Sequence, residues 1–246
     1  SAFLPLTVDL PVVGKQTAGG GVTTALSPDG KSLFVLTAGF NTWLGPDGKR
    51  IADASSEHLL IYDVDGGLKL RQDVHVPNSY GGFALTPDGA AIFVAGGVDD
   101  NVHEYRRESS GKWNEIGQPI ALGHKSGNGL VRGNAELLKP MAAGLALTSD
   151  AERLLVANYE NDSISVVDVK QRKVVQELDI RPGKIDRKAS GRPGGEFPYA
   201  IAIASNGKAY VSSERDREIV VLATTDTLRV IARIKVAGNP NRMLFD

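Results

Sequence analysis

Three short acidic stretches interrupt runs of strand-forming residues, and their side chains could hold a divalent cation. They are "VDDN" (98–101), "ENDS" (160–163) and "ERDR" (214–217). Carboxylate and amide oxygens are the hard ligands that Ca²⁺ and Mg²⁺ prefer, so these two ions are the possible cofactors. No EF-hand-like spacing is present, and Asp and Asn also favour tight turns that bind no ion. A purely structural turn is therefore the alternative to the predicted metal ligands Glu160, Asp162 and Asp216.

A second group of charged residues could bind a phosphate or an acidic partner. Basic side chains concentrate in the segment 181–192, and another pair lies at 124–125. Guanidinium and ammonium groups bind anions through charge-assisted hydrogen bonds. A solvated basic loop is the alternative. The predicted ligand-binding residues are Asp99, Asp100, Asn101, His124, Lys125, Arg181, Lys184, Glu196 and Arg215.

No arrangement of residues in the sequence predicts a catalytic centre. The chain has no cysteine, which excludes thiolate nucleophiles, thiolate metal sites and disulfides. Its four histidines do not follow a metal-ligand spacing, and His58, His75 and His103 are interpreted as ordinary strand residues. No nucleophile elbow or Ser-His-Asp order is present. We therefore predict no catalytic residue.

The elements that must position these side chains follow from a repeat. Four segments consist of an apolar run, a Pro-Asp-Gly-like turn and a second apolar run. Proline presets the first φ angle of the turn, Asp bonds to its own backbone and Gly permits positive φ. Each segment predicts a β-hairpin, and recurrence at about sixty residues predicts a repeat architecture. The segments are "ALSPDGKSLFVLT" (25–37), "ALTPDGAAIFVAG" (84–96), "ALTSDAERLLVAN" (146–158) and "AIASNGKAYVSS" (202–213).

Two more strands follow each hairpin, and polarity rises along every unit. The first two strands are nearly continuous apolar runs, as expected when both faces are buried, whereas the fourth alternates, as expected when one face is wet. Four graded antiparallel strands, repeated, predict an all-β protein, a β-propeller. A β-sandwich also has short strands and frequent turns, but it would not repeat one polarity gradient four times. The predicted blades are 22–76, 82–122, 141–180 and 199–236, with the first strand of a fifth from 239.

The strand order predicts where the acidic tips lie. If the first strand of each blade runs down the central channel, the first hairpin turns lie at one end and the turns between the second and third strands at the other. Asp100, Asp162 and Asp216 should therefore lie opposite the turns at 28–30 and 87–89. Long loops (38–57, 123–140 and 181–198) join the tips there, and such loops commonly carry function.

The number of blades predicts that residues 1–246 form a single but incomplete propeller domain. Four blades and one further strand suit the first part of a larger ring, which we predict to be seven-bladed. The segment "FLPLTVDL" (3–10) could act as a closing strand. An open arc would expose the apolar faces of its first and last blades and leave unpaired strand edges.

The hairpins, together with "LLVANYENDSISVVDV" and "AYVSSERDREIVVL", resemble the YVTN-type propeller repeats of bacterial surface and periplasmic proteins. The strings "SGNGL…KPMAAGLALTSD", "RPGKID", "PGGEFPY" and "NPNRM" look more specifically like one bacterial group. In that group an N-terminal propeller precedes an alkaline-phosphatase-like phosphoesterase domain. The resemblance implies phosphoester hydrolysis by the whole protein, with the nucleophile and metal ligands outside this chain.

Three functions therefore stay open. The first is a non-catalytic scaffold or recognition module of a larger secreted or periplasmic protein, whose partners are the rest of its polypeptide and a protein or small anionic ligand at the tips. The second is a lactonase-like propeller hydrolase with a cation at the channel mouth, and the third is a cell-surface adhesion or assembly protein. A net charge of −1 argues against nucleic acid as a partner, and no apolar run reaches membrane-spanning length.

Overall fold

A computed structural model describes residues 4–39, 41–126 and 140–245. Within these ranges the regular structure is almost entirely β. The α-helix α1 (Pro182–Ile185) is a single turn, and no helix is long and apolar enough to cross a membrane. Residues 127–139, which carry most of the "SGNGL" string, lie outside the described part.

A hairpin of β1 (Thr7–Leu10) and β2 (Gly14–Thr17) precedes four antiparallel sheets, which are the blades of a β-propeller fold. The strands of blades 1, 3 and 4 pair in chain order, as predicted, and so do the first four strands of blade 2. Blade 1 contains β3 (Gly21–Leu26), β4 (Ser32–Thr37), β5 (Glu57–Asp63) and β6 (Lys69–Val76). Blade 2 contains β7 (Phe83–Leu85), β8 (Ala91–Ala95), β9 (Asn101–Arg107), β10 (Trp113–Glu115) and β11 (Ile120–Ala121). Blade 3 contains β12 (Ala142–Leu147), β13 (Arg153–Asn158), β14 (Ser163–Asp168) and β15 (Lys173–Asp179). Blade 4 contains β16 (Pro198–Ile203), β17 (Lys208–Ser213), β18 (Glu218–Ala223) and β19 (Arg229–Lys235).

Blade 2 departs from the prediction at its outer edge. The continuous fourth strand expected at 115–122 is instead split into β10 and β11, which both pair with β9. Gly117 adopts a φ of 64° in the break, and Pro119 has no N–H to donate to a ladder. The outer strand therefore leaves β9 after β10 and pairs with it again at β11.

The burial gradient differs from the predicted one at the inner strands. The second strands are the most buried, and every residue of β8 is buried. The first strand β3 alternates between half-buried and exposed positions. The reason is geometric, since the first strands of all four blades line one central cavity of about 400 Å³. One side of each therefore faces open space instead of a neighbouring blade.

Glycines allow the inner strands of successive blades to approach backbone to backbone. A Cβ at Gly82 of blade 2 would lie 1.7 Å from the Ala143 carbonyl oxygen of blade 3. A Cβ at Gly144 would lie 2.3 Å from the Tyr199 carbonyl oxygen of blade 4. No side chain fits at either position.

Apolar side chains fill the space between adjacent blades. Between blades 1 and 2, Phe34 and Trp113 meet edge to face with ring centroids 5.7 Å apart. Similar clusters lie between blades 2 and 3 and between blades 3 and 4. Each interface therefore buries apolar surface from two sheets, and this burial is the main stabilising contribution in such a fold.

Glutamine side chains fasten the outer strands at two of these interfaces. The Gln72 side chain donates to the Trp113 carbonyl oxygen (2.7 Å) and accepts from the Trp113 N–H (2.8 Å). Gln176 makes the same pair with Leu228, at 2.7 and 2.8 Å. Each glutamine thus satisfies a strand-edge amide and carbonyl of the next blade, as a neighbouring strand would.

The N-terminal segment does not act as the closing strand. β1 pairs with β2 instead, with Val8 opposite Gln16, and this hairpin packs its buried residues Val8 and Leu10 against the outer face of blade 1. That face carries Leu60, which is fully buried. The expectation of an exposed apolar face on the first blade is therefore wrong, because the chain folds back over it.

The predicted first strand of a fifth blade is not formed. Residues 237–245 are irregular. The Phe245 ring instead packs on Tyr210 of blade 4 at 5.2 Å. Arg242 reaches blade 1, where it donates to the Thr23 hydroxyl at 2.5 Å and to the Val22 carbonyl.

We expect Gly82→Ala to destabilise the protein by at least 1–3 kcal/mol, roughly the cost of overpacking a filled interior. The added methyl group would overlap the Ala143 carbonyl oxygen and push blades 2 and 3 apart. Urea denaturation followed by tryptophan fluorescence measures the loss. Gly238→Ala is the matched control because nothing lies within 4 Å of a Cβ there. Equal stability of the two variants would contradict the close approach.

Candidate functional site

The acidic tips lie at the end of the blades opposite the first hairpin turns, as predicted. Asp100, Asp162 and Asp216 each lie between the second and third strands of their blade. Because the strands are antiparallel, that connection is at the opposite end from the first turn. The first turns of blades 1 and 2 are themselves neighbours, since a Cβ at Gly89 would lie 3.1 Å from Pro28.

The aspartates at the tips serve the turns and the adjoining loop. Asp100 and Asp162 have left-handed φ angles of 60° and 52°, which short polar side chains tolerate best. The Asp162 carboxylate accepts the Phe197 N–H at 3.0 Å, and the Asp216 carboxylate accepts the Glu196 N–H at 2.9 Å. The tips of blades 3 and 4 thus both bind the C-terminal end of the 181–198 loop.

The predicted metal ligands Glu160, Asp162 and Asp216 are not brought together. In the described ranges, their oxygens do not form a group within 4.8 Å of one another. Asp162 also contacts the Arg181 guanidinium at 3.3 Å, while Glu160 is exposed. Burial raises the pKa of the Asp162 carboxyl, although the Phe197 N–H and Arg181 oppose this shift. The Asp162 and Asp216 carboxylates stabilise the adjoining loop, which is the alternative that the sequence left open.

A buried ion network joins the tip of blade 2 to blade 3. The His124 ring donates from Nδ1 to Asp100 at 2.6 Å and from Nε2 to Glu177 at 3.1 Å. His124 is 1% exposed and Asp100 is 4% exposed. Glu177 also accepts the Ser165 hydroxyl at 2.6 Å and the Ser163 hydroxyl. Because both ring nitrogens face carboxylates, the ring holds both of its protons.

The electrostatics of this network agree with a charged histidine. Burial alone would lower the pKa of His124, but the hydrogen bonds to Asp100 and Glu177 outweigh it and raise the pKa to about 9. Burial raises the pKa of the Glu177 carboxyl, but the hydrogen bond and charge of His124, together with the hydroxyls of Ser163 and Ser165, outweigh burial and leave the pKa below its ordinary value. The network is therefore an ion triad that stabilises the junction between blades 2 and 3.

The remaining predicted residues near this triad also make structural contacts. Asp99 accepts the Asn78 side-chain N–H at 2.8 Å. The Lys125 ammonium group donates to the Val98 carbonyl at 2.7 Å. The side-chain oxygen of Asn101 is buried without a hydrogen-bond partner in the described residues. The structure brings these residues together beside the packed junction of blades 2 and 3.

The other predicted ligand-binding residues meet in an open cleft, here called the basic cleft. It has a volume of about 460 Å³ between the 181–194 loop and the tip of blade 4. Arg181 is engaged by Asp179 at 2.7 Å, and Arg215 by Glu196 at 2.8 Å. Lys184 and Arg192 are exposed and form no ion pair within the described chain. The charged residues that line the cleft are Arg181, Lys184, Arg192, Glu196, Arg215 and Asp216.

Glycine and a buried carboxylate fix the base of the cleft. A Cβ at Gly195 would lie 2.3 Å from the Ile180 carbonyl oxygen, so only glycine allows the loop to cross the end of blade 3 there. The Gly195 N–H donates to Glu218 at 2.9 Å. Glu218 is 1% exposed and is paired with Arg233 at 2.5 Å. The loop is therefore anchored to blade 4 at its C-terminal end.

An aromatic cluster that the sequence analysis missed lies beside the basic cleft. Tyr80 and Tyr199 line the central cavity, and the Tyr159 ring lies 5.2 Å from Tyr80 and 4.9 Å from Phe197. Burial and the Glu214 carboxylate, which accepts the Tyr159 hydroxyl at 3.1 Å, raise the pKa of Tyr159. The Arg215 guanidinium lies 5.9 Å over the Phe197 ring and so connects the cluster to the cleft. Tyr159 directly follows β13, Phe197 directly precedes β16 and Tyr199 is the second residue of β16, and these positions at strand ends were the available signal.

A histidine–aspartate cluster in blade 1 was also missed. His58, Asp73 and His75 have potential ligand atoms within 4.8 Å of one another, the one such set in the described residues. His58 and His75 are opposite each other in the β5–β6 ladder. Their sequence spacing shows no helix-type pattern, but pairing the predicted third and fourth strands would have revealed the cluster.

No protein-family model matches the chain, and no curated protein matches it in sequence. Solved structures match its fold. Hydrazine synthase from Kuenenia stuttgartiensis has a TM-score of 0.57 at 17% identity, over 91% of this chain and 50% of that chain. The periplasmic gluconolactonase of Pseudomonas aeruginosa matches with a TM-score of 0.57 at 16% sequence identity, and the match covers 89% of this chain and 71% of that chain. A β-propeller domain from Myceliophteria thermophila matches with a TM-score of 0.52 at 13% sequence identity, and the match covers 89% of this chain and 74% of that chain.

These similarities establish the β-propeller fold of this chain. The identities are too low to carry an activity from one protein to another. The chain spans half of the hydrazine synthase chain and about three quarters of the propeller domain. Function must therefore be argued from the site.

We expect the stability of the protein to depend on pH through His124. Its pKa is about 9 in the folded chain against an ordinary value of 6.5, so its stabilising effect is complete below 6.5 and is lost as the pH rises through 9. The loss should be on the order of 3 kcal/mol, since one pKa unit corresponds to about 1.4 kcal/mol. Urea unfolding at a series of pH values measures it.

The variant His124→Gln should be less stable near neutral pH and should lack this alkaline loss. His103→Gln is the control, because His103 contacts one carboxylate, Glu115, at the blade edge. It should retain the alkaline loss of the unmodified chain. An identical pH profile for His124→Gln and the unmodified chain would contradict a charged triad.

Proposed function

We propose that this propeller is a non-catalytic recognition module that binds a small anionic ligand in the basic cleft. The observation that carries the proposal is the unequal pairing of charges in the cleft. Arg181 and Arg215 have carboxylate partners, whereas Lys184 and Arg192 do not. Two unpaired cations that face one open space attract an anion such as a phosphate group.

The surroundings of the cleft suit such a ligand. Its loop is fixed at Gly195 and Glu218, so little ordering is needed when a ligand binds. The Arg215 guanidinium, which lines the cleft, lies over the Phe197 ring, and Phe197 packs on Tyr159, so an aromatic cluster adjoins the cleft. A phosphorylated or carboxylated sugar combines an anionic group with a ring that can stack on aromatic side chains.

We further propose that the module belongs to a larger bacterial protein of the periplasm or cell exterior, with a phosphoesterase domain as its catalytic part. The resemblance of "RPGKID", "PGGEFPY" and "NPNRM" to such proteins supports this proposal. The absence of cysteine fits an oxidising compartment. The first two of these strings form the basic cleft, so ligand recognition and the resemblance involve the same loop.

The double variant Lys184→Ala/Arg192→Ala tests the ligand site. Isothermal titration with inorganic phosphate and with a hexose phosphate should show binding to the unmodified chain. The double variant should bind at least about tenfold more weakly, because each charge-assisted hydrogen bond contributes about 1.5–3 kcal/mol. Binding should also weaken with added salt, since the cleft is open to solvent.

The matched control is Arg187→Ala/Lys188→Ala, which removes two exposed cations of the same loop that do not line the cleft. Equal loss of binding in both double variants would mean a diffuse basic loop, and the proposal would be wrong. Absence of binding to the unmodified chain would equally overturn it. Lactone hydrolysis by the unmodified chain that depends on added Ca²⁺ would favour the lactonase alternative instead.

A further inference from the structure

We propose that His58, Asp73 and His75 form a zinc site on the outer face of blade 1. The three side chains offer two imidazole nitrogens and one carboxylate oxygen, the ligand set that Zn²⁺ accepts in proteins. The site is remote in sequence from the basic cleft. It requires no part of the proposed ligand-binding function.

The β-ladder places these three side chains in one group. His58 on β5 and His75 on β6 are directly opposite each other, and their rings lie 5.2 Å apart. Asp73 precedes His75 by two residues, and alternate residues of a strand share a face. Both strands belong to the middle and outer part of a packed sheet, so the positions of the ligands are fixed before any ion binds.

The distances between the ligand atoms fit a tetrahedral ion. Oδ2 of Asp73 lies 3.1 Å from Nδ1 of His58 and 3.5 Å from Nε2 of His75. Ligands at about 2.0–2.1 Å from a tetrahedral zinc ion are separated by about 3.3–3.4 Å. The two measured distances lie on either side of this value, so small rotations of the side chains would suffice.

The surroundings select the ligand atoms. Nδ1 of His58 faces the Asp73 carboxylate, whereas Nε2 is buried and has no hydrogen-bond partner in the described chain, so Nδ1 is the nitrogen that the ring presents to the cluster. The Ser56 hydroxyl lies 3.3 Å from Nδ1 of His75 and orients that ring with Nε2 towards Asp73. A second polar group that holds the free nitrogen of a histidine is common around zinc ligands.

The site is also accessible to solvent on the His75 side. The His58 side chain is fully buried, the Asp73 side chain is 16% exposed and the His75 side chain is 40% exposed. An ion can therefore enter past His75, and water can occupy the fourth position. Three protein ligands with one solvent position are typical of zinc sites that can bind an additional small ligand.

Blade 2 supplies an internal comparison. His103 on β9 contacts Glu115 on β10 at 2.7 Å, which is the same kind of strand-to-strand pair as His58 and Asp73. It has no second histidine within ligand distance in the described residues. A histidine–carboxylate pair alone is thus the ordinary structural arrangement, and His75 is the residue that turns blade 1 into a metal site.

Titration of the chelator-treated, untagged chain with Zn²⁺ tests the proposal. We expect one ion per chain, with an affinity in the micromolar range or tighter. Co²⁺ in place of Zn²⁺ should give the visible absorption bands of a tetrahedral site with nitrogen and oxygen ligands. Zinc should also raise the melting temperature, because an ion that binds only the folded chain stabilises it.

His75→Asn and Asp73→Asn should each weaken Zn²⁺ binding by at least about tenfold, as the loss of a metal ligand or its support does. Both residues lie near the rim, so these variants should keep the far-UV circular dichroism of the unmodified chain. Glu115→Gln in blade 2 is the control and should bind Zn²⁺ unchanged. Binding that persists in both ligand variants, or no binding by the unmodified chain, would overturn the proposal.

Discussion

The backbone-to-backbone approach of the inner strands is the constraint on which the rest of this structure depends. Gly82 meets the Ala143 carbonyl and Gly144 meets the Tyr199 carbonyl, so successive blades converge tightly at the axis. Because the sheets fan outwards from that point, apolar side chains such as Phe34 and Trp113 can fill the widening space between them. A side chain at either glycine would separate two blades and open the interface behind it.

This convergence also explains why the tips crowd one end of the molecule. Loops from neighbouring blades must share limited space near the axis, and their polar groups become buried in each other. Burial of a charge is unfavourable unless a partner compensates it. Asp100, His124 and Glu177 meet this requirement as a triad, and Asp162 meets it with Arg181 and a backbone N–H. Most charged side chains of the tips are therefore paired within the protein and are not available to a ligand.

The cations that remain available to a ligand are found on the long loop between blades 3 and 4. The 181–194 loop extends beyond the tip of blade 4 and leaves Lys184 and Arg192 in solvent. Its rigid end at Gly195 holds the cleft open while its basic side chains stay free. The outer strands of blade 1 similarly carry His75 at the rim. The sheets thus fix the positions of these basic and histidine side chains, and their exposure to solvent determines which of them can bind a ligand.

The sequence by itself determined the repeat, the hairpin turns and the order of strands in each blade. These features depend on alternation, turn residues and short-range pairing, so they can be read from neighbouring residues. Even there, Gly117 and Pro119 split a strand that the apolar pattern predicted to be continuous. The sequence also predicted Arg181, Lys184 and Glu196, which line the basic cleft, because a basic, glycine-rich insertion is locally visible.

Only the tertiary structure decided which charges are free and which histidines meet. Whether Asp162 binds an ion or a backbone N–H depends on Phe197, which lies in the next blade. Whether His58 and His75 form a pair depends on the register of two strands, and a shift by one residue would turn one of them to the other face. The same holds for β1, which packs over blade 1 and does not close a ring. Such contacts join residues that are distant in sequence, and their energies arise from packing, register and desolvation, which no local pattern encodes.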